Sequence, residues 1–527
     1  MNRTGVDDAV AGPFGDTPGR ESTIYATGLL LGLTAIRLAI QFSGINHYGF
    51  FRDELYYMAC GEHLAWGYVD QPPLIALLAW IVRHWLGDSF FAIRLLPALT
   101  GAATVFLTGV LARELGGSRF AQFLAATSVV FAPAYLAFDS FFSMNAFEPF
   151  LWLVCAILAV RVVKGASPGL WLAFGAVSGI GLENKHTMLL LGFGFIAGLL
   201  FSGHASILSS KWIWLGGVIA LTIFLPNLIW EARHGWPQIE VVRNAQQFKN
   251  VAIGPIGFLW DDVLFLHPVA LPVWVLGLSW LLFSTEGKSC RFLALTFLFV
   301  LGTFICLGGK SYYALPAYPL LLAAGGVAIE QYLASARWAW LKVAYPSALV
   351  LAGLLTVPFG VPLLPVDTFF RYSQSIPYAR EVKTERDATA ALPQLYADMF
   401  GWDTMAASVA RVYHDLPKAD QADCAILAGN YGEAGAIDYY GPKLGLPKAL
   451  SGHNSYFDWG PRNYSGACVI VFGERSNEFK NLFAESRVAA TTSNPYGMPN
   501  EQRVPIYICH KPRAPLAVLW PNFKMII

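Results

Sequence analysis

Eleven apolar stretches recur between residues 23 and 361, each about long enough to cross a hydrocarbon core of roughly 30 Å. They fall at 23–43, 90–112, 120–137, 145–163, 168–184, 187–203, 212–230, 258–284, 292–308, 314–333 and 341–361. Hydrocarbon offers no partner to an unpaired backbone polar group, so such a chain must fold as a bundle of membrane helices. Composition agrees. Of the 527 residues, 55% are hydrophobic and 13% charged, against about 25% charged in an ordinary soluble chain. A net charge of +1 on so apolar a chain excludes disorder, and it supplies no basic field for nucleic acid.

Charge is unevenly spread. Residues 366–527 hold 16 acidic and 16 basic side chains, while the longer part before them holds 39 charged residues. The pattern predicts three parts: a disordered cytoplasmic lead (1–22), a transmembrane domain (23–365) with a long outer loop (44–89), and a C-terminal α/β domain (366–527). The lead lacks the basic start, apolar core and cleavage site of a signal peptide. Alternate short loops carry Arg113, Arg119, Arg161, Lys164, Lys211, Lys288, Arg291, Arg337 and Lys342. The positive-inside rule makes those cytoplasmic, and loops 44–89 and 231–257 and the tail periplasmic.

The outer loop reads as two short helices, Asp53–Trp66 and Leu74–Leu86, from apolar spacing and the Pro72-Pro73 start signal. In the tail, Leu392–Val412 reads as a helix. Cys424–Ala428, Cys468–Phe472 and Pro505–Cys509 read as strands, and a helix opens at Asn430-Tyr431-Gly432-Glu433 and runs through Tyr440. Cys424, Cys468 and Cys509 allow one disulfide there, with the pair left open. No Cys/His spacing suits a zinc site.

The outer side also gathers the chemically notable residues. The run Phe51-Arg52-Asp53-Glu54-Leu55-Tyr56-Tyr57 leads to Gly67-Tyr68-Val69-Asp70-Gln71-Pro72-Pro73-Leu74. Further along stand Phe138-Asp139-Ser140, Ser143-Met144-Asn145-Ala146-Phe147-Glu148-Pro149, Gly181-Leu182-Glu183-Asn184-Lys185-His186-Thr187, Pro226-Asn227-Leu228-Ile229-Trp230 with His234-Gly235-Trp236-Pro237, and Lys310-Ser311-Tyr312-Tyr313 with Tyr318-Pro319. In this order the motifs resemble the polytopic glycosyltransferases of the protein O-mannosyltransferase type, family 39, whose bacterial relatives include the aminoarabinose-to-lipid A transferases. The resemblance covers about residues 25–335.

It implies a GT-C fold of about eleven transmembrane helices and an inverting transfer in the cell inner membrane. A sugar on a polyprenyl-phosphate donor passes to a lipid, cell-surface glycan or protein acceptor on the periplasmic side. A hydroxyl nucleophile needs a general base. Asp53 takes that role by resemblance to the family's first-loop Asp, and Glu54 orients or tunes it. The leaving phosphate needs cations, which Lys185 and Lys310 supply. Arg52, Tyr57, Asp70, Asp139, Asn145, Glu148, His186, Tyr312 and Tyr313 complete the expected substrate-binding set. Asn145 stands where many relatives carry Asp, so Asp139 or Glu148 is the substitute acid. Gln71 stands where they often carry Lys or His. No cofactor is required; a divalent cation on Asp70 and His267 is the family's alternative. The other class that many spans with charge describe is a multi-pass transporter or lipid-linked glycan flippase, which would place its charges near the bilayer midplane on broken helices.

Overall fold

The computed structural model describes residues 19–376, 385–386 and 390–527. Most of the predicted lead, up to residue 18, lies outside them. Sixteen helices, in chain order, make the membrane part and its loops: α1 Gly19–Gly44, α2 Arg52–Glu62, α3 Leu74–Trp85, α4 Phe90–Glu114, α5 Arg119–Val130, α6 Pro133–Phe138, α7 Met144–Val163, α8 Leu170–Asn184, α9 Met188–Phe201, α10 Lys211–Arg233, α11 Pro237–Asn244, α12 Pro255–Phe265, α13 Leu271–Phe283, α14 Arg291–Cys306, α15 Tyr318–Tyr332 and α16 Leu341–Gly360. Every predicted span meets a helical segment. Among the described residues, seven helices are long and apolar enough to cross a membrane alone.

Two expected spans are not single rods. Residues 120–137 break between α5 and α6 at Pro133, which has no N–H to continue the ladder. Residues 258–284 are α12 and α13, bent by 100°, with His267 at φ 58° in the elbow. Elsewhere small residues let helices touch backbone to backbone. On α8, a Cβ at Gly175 would lie 2.1 Å from the Gly216 carbonyl oxygen of α10, so that contact requires glycine.

The tail carries a five-stranded sheet in the order β2-β1-β3-β5-β4, formed by β1 Cys424–Ala428, β2 Leu450–Ser451, β3 Cys468–Phe472, β4 Phe483–Thr491 and β5 Pro505–Pro512. β2, β1 and β3 run parallel, and β5 is antiparallel to both β3 and β4. The three expected strands are present. β4 was not expected: its exposed Glu485, Ser486 and Arg487 hide the apolar signal of an edge strand. The expected helix Leu392–Val412 is also interrupted. Gly401 takes φ 88°, and the helix restarts as Trp402–His414.

Cys424 and Cys468 face each other in register across β1 and β3 and form the disulfide, leaving Cys509 as a buried free thiol. The bridge spans 44 residues, so Cys424→Ser should destabilise the tail by about 3–4 kcal/mol. A fall in the protease-resistance midpoint of the purified protein would report it; no shift would show that the sheet does not need the crosslink.

The tail does not hang from the membrane part by a linker alone. Leu55, Tyr56, Ile75 and Ala76 of α2 and α3 share one apolar core with Ala434, Ile437, Ile470 and Tyr456 of the tail. The helix Tyr431–Tyr440 lies so close to α2 that a Cβ at Gly435 would stand 2.9 Å from the Leu55 backbone. This contact places the start of α2 between bilayer helices and tail.

Candidate active site

Successive residues of a helix point about 100° apart, and the first turn of α2 uses that divergence. Glu54 turns inward and is fully buried. Its carboxylate accepts the Phe51 N–H at 2.8 Å, the Phe142 N–H at 2.9 Å, and two bonds from Arg94 at 3.1 and 2.8 Å. Arg94 also donates to the carbonyls of Ile45 and Gly49. Glu54 therefore ties α2 to α4 and to the 142 backbone, and its oxygens are taken up by that work rather than turned toward its neighbour. Asp53 instead faces the tail, half-buried, and accepts a hydrogen bond from the Tyr431 hydroxyl at 2.9 Å.

Arg52 completes the turn. Its guanidinium lies 5.6 Å over the Tyr431 ring and 3.9 Å from Glu501, in the field of Asp398 and Glu385. Asp70 accepts from the Tyr56 hydroxyl at 2.7 Å and from the Asn454 amide at 2.9 Å. Burial pushes its pKa up to about 6, against those two bonds, with the Asp53 charge adding to the rise. Tyr57 is buried beside Asp53 and Asp70, and burial together with these carboxylates holds its phenol protonated. Burial likewise raises Asp398 to about 6, although Arg52 opposes it.

The cations form a second focus. Lys185 follows α8 and donates to Asn145 at 2.8 Å and to Glu148 at 3.0 Å; Thr187 also donates to Glu148. The Lys185 ammonium lies 4.7 Å over the Tyr313 ring. Tyr313 packs on Tyr312 at 4.8 Å, and Lys310 lies 5.7 Å over Tyr312. Lys310 donates to Glu385, which Lys249 also approaches at 3.6 Å. Burial works against ionising Glu385, but Lys249, Lys310 and Arg52 outweigh it and hold its pKa below the usual carboxylate range. A path of charges and rings thus runs from Asp53 to Lys185 through Tyr431, Arg52, Glu385, Lys310, Tyr312 and Tyr313, with Arg52 and Glu385 acting on each other through space. His186 turns aside to Asn227 at 3.1 Å.

Three expectations need correction, the first being Glu54, which is held by Arg94 and two backbone N–H groups and does not orient Asp53. Asp139 is no substitute for an acid at position 145. Its carboxylate pairs with Arg37 of α1, while Lys185 is met by Glu148 and Asn145. Asp70 and His267 do not meet: His267 is enclosed at the α12–α13 elbow, with neither ring nitrogen hydrogen-bonded among the described residues. Among those residues no group of three His, Cys, Asp or Glu side chains could hold a metal ion.

Tyr431, Glu385, Asp398, Asn454 and Arg94 are absent from the expected set. Tyr431 had one local signal: Asn430 and Glu433 form a capping box at the start of its helix, which fixes where that residue emerges from the sheet.

Comparison with known proteins gives this geometry a context. Residues 70–230 match the model of the family described as dolichyl-phosphate-mannose-protein mannosyltransferase. Over 230 residues the chain is 24% identical to the lipid A galacturonosyltransferase RgtD of Rhizobium johnstonii, a match covering 43% of this chain and 47% of the relative. The chain thus spans about half the length of that curated relative. Its fold resembles the crystal structure of ArnT from Cupriavidus metallidurans bound to undecaprenyl phosphate, with TM-score 0.62 and 14% identity over 92% of this chain and 98% of that one. The Archaeoglobus fulgidus oligosaccharyltransferase is more distant, with TM-score 0.51 and 11% identity over 78% and 63%. These likenesses, with the bundle and its tail sheet, show that the chain is a polytopic membrane protein with the GT-C fold of ArnT.

Proposed function

We propose that the protein is an inverting glycosyltransferase of the inner membrane that moves a sugar from a polyprenyl-phosphate donor to an acceptor on the periplasmic side, a lipid in the first instance. The observation that carries this reading is the pairing of one half-buried carboxylate, Asp53, with a path of cations that ends at Lys185. The acceptor hydroxyl attacks the anomeric carbon and gives its proton to Asp53. The new glycosidic bond forms as the bond to the lipid phosphate breaks, and the phosphate leaves with the electron pair. Lys185 stabilises that developing charge, with Lys310 and Lys249 behind it on Glu385. Glu148 and Asn145 hold Lys185 in place. The names of RgtD and ArnT support lipid A as acceptor and undecaprenyl phosphate as carrier. The gathering of charge at one end of the helices favours transfer over transport.

The direct test uses purified protein in nanodiscs containing lipid A, supplied with a panel of undecaprenyl-phosphate sugars. Mass spectrometry should find lipid A heavier by one sugar, together with free undecaprenyl phosphate. If every donor survives unchanged, the reading is wrong. In the same assay Tyr431→Phe should lower kcat about tenfold while leaving both KM values in place, because the lost hydroxyl orients the base and touches neither substrate in the resting site. A change confined to KM would show instead that Tyr431 serves binding.

A further inference from the structure

Three stretches far apart in the chain meet at the edge of the site. The loop after α2 presents His63 and Trp66, a residue 65% exposed. The end of α10 presents Trp230 and His234, stacked at 4.0 Å. The tail turn after the short helix Ser455–Asp458 presents Trp459, stacked on His63 at 4.2 Å, and then Arg462. The join is close: a Cβ at Gly67 would lie 2.4 Å from the Trp230 ring, and the Asn227 amide donates to the Trp66 carbonyl at 2.9 Å. Asp458 lies in the field of His234 and Lys524, and His63 in that of Arg462.

This rim mixes chemistries that suit one kind of ligand. Exposed aromatic faces pack on the apolar face of a sugar ring. A carboxylate accepts sugar hydroxyls, a guanidinium binds phosphate, and an imidazole N–H donates to it. On one side Leu221, Leu225 and Ile229 of α10, four residues apart and exposed, form a lipid-facing stripe that runs up to Trp230. On the other side the rim reaches the site by two short routes. Trp459 packs on Tyr456 at 4.5 Å, Tyr456 stacks on Tyr56 at 6.3 Å, and Tyr56 bonds to Asp70. Asn227 bonds to His186, the neighbour of Lys185. A glycolipid seated here keeps its acyl chains along α10 and turns its headgroup toward the Asp53 end of α2.

We infer that this rim docks the acceptor, an anionic glycolipid whose sugar lies on Trp66 and whose phosphate is held by Arg462, His63 and His234. The inference rests on the transferase reading above for the word acceptor, and on the rim alone for the binding.

The test measures binding and transfer separately, with the full chain in phosphatidylcholine nanodiscs. The probes are lipid A, lipid A stripped of its phosphates, and phosphatidylglycerol. Trp66→Ala, whose side chain faces outward, should keep the wild-type melting temperature. It should raise the half-saturating lipid A about tenfold, at unchanged kcat and unchanged half-saturating donor. Arg462→Ala should weaken intact lipid A but leave the dephosphorylated form alone. Unchanged lipid A affinity in both variants overturns the site. Phosphatidylglycerol that competes as well as lipid A overturns the sugar platform, leaving an anion patch only. If no donor is ever consumed but lipid A binding is still lost in Trp66→Ala, the rim stands and the transferase reading fails.

Discussion

Asp53→Asn should leave a folded, correctly inserted protein that transfers sugar about a thousandfold more slowly. Removal of a general base typically costs a factor of 10² to 10⁴, and the amide retains an oxygen that can accept from Tyr431. The substitution removes only the ability to take up a proton. The assay is the nanodisc reaction above, read at saturating donor and acceptor so that kcat is isolated. Melting temperature and gel filtration serve as controls for fold. A variant within threefold of wild type would remove Asp53 from the mechanism. Asp70, the next carboxylate in the cluster, would then be the base to test.

One position along the chain the expected result inverts. Arg94→Met should cost about 3–5 kcal/mol of stability, because it leaves the Glu54 carboxylate buried without its cation. Poor yield, aggregation in detergent and a steep fall in melting temperature would report the loss. Arg94→Met/Glu54→Gln should recover much of it, since neither partner then carries a buried charge. Recovery that is absent would show the pair to be replaceable by nothing neutral, and would point to the hydrogen bonds from Phe51 and Phe142 as the larger part. Adjacent acidic residues are thus expected to show opposite phenotypes, lost chemistry at Asp53 and lost architecture at Glu54. The helical turn, rather than the residue type, assigns them.

How much of this is legible in the chain follows from how local each signal is. The bilayer helices, the two outer-loop helices and three of the strands are written in apolar periodicity within a dozen residues. Breaks are harder: the α12–α13 elbow falls inside one continuous apolar run, and Gly401 reads as one more small residue within a helix. The site shows the same division. Lys185 meets Glu148 and Asn145 across about forty residues, between the ends of neighbouring helices. The bond from Tyr431 to Asp53 spans 378 residues and joins two segments that share no periodicity. Asp139 misleads because an acid near a span end looks alike whether it faces substrate or Arg37. That arginine lies 102 residues earlier, on a helix whose own pattern is only apolar.

The docking of the tail on α2 has a consequence for biosynthesis. The ribosome delivers the bilayer helices, with Asp53 and Lys185, well before it delivers Tyr431. A nascent chain already threaded into the bilayer still lacks the hydroxyl that steadies its carboxylate, and lacks Asn454 against Asp70. On the proposed mechanism the site is therefore complete only once the tail has folded onto the outer loop.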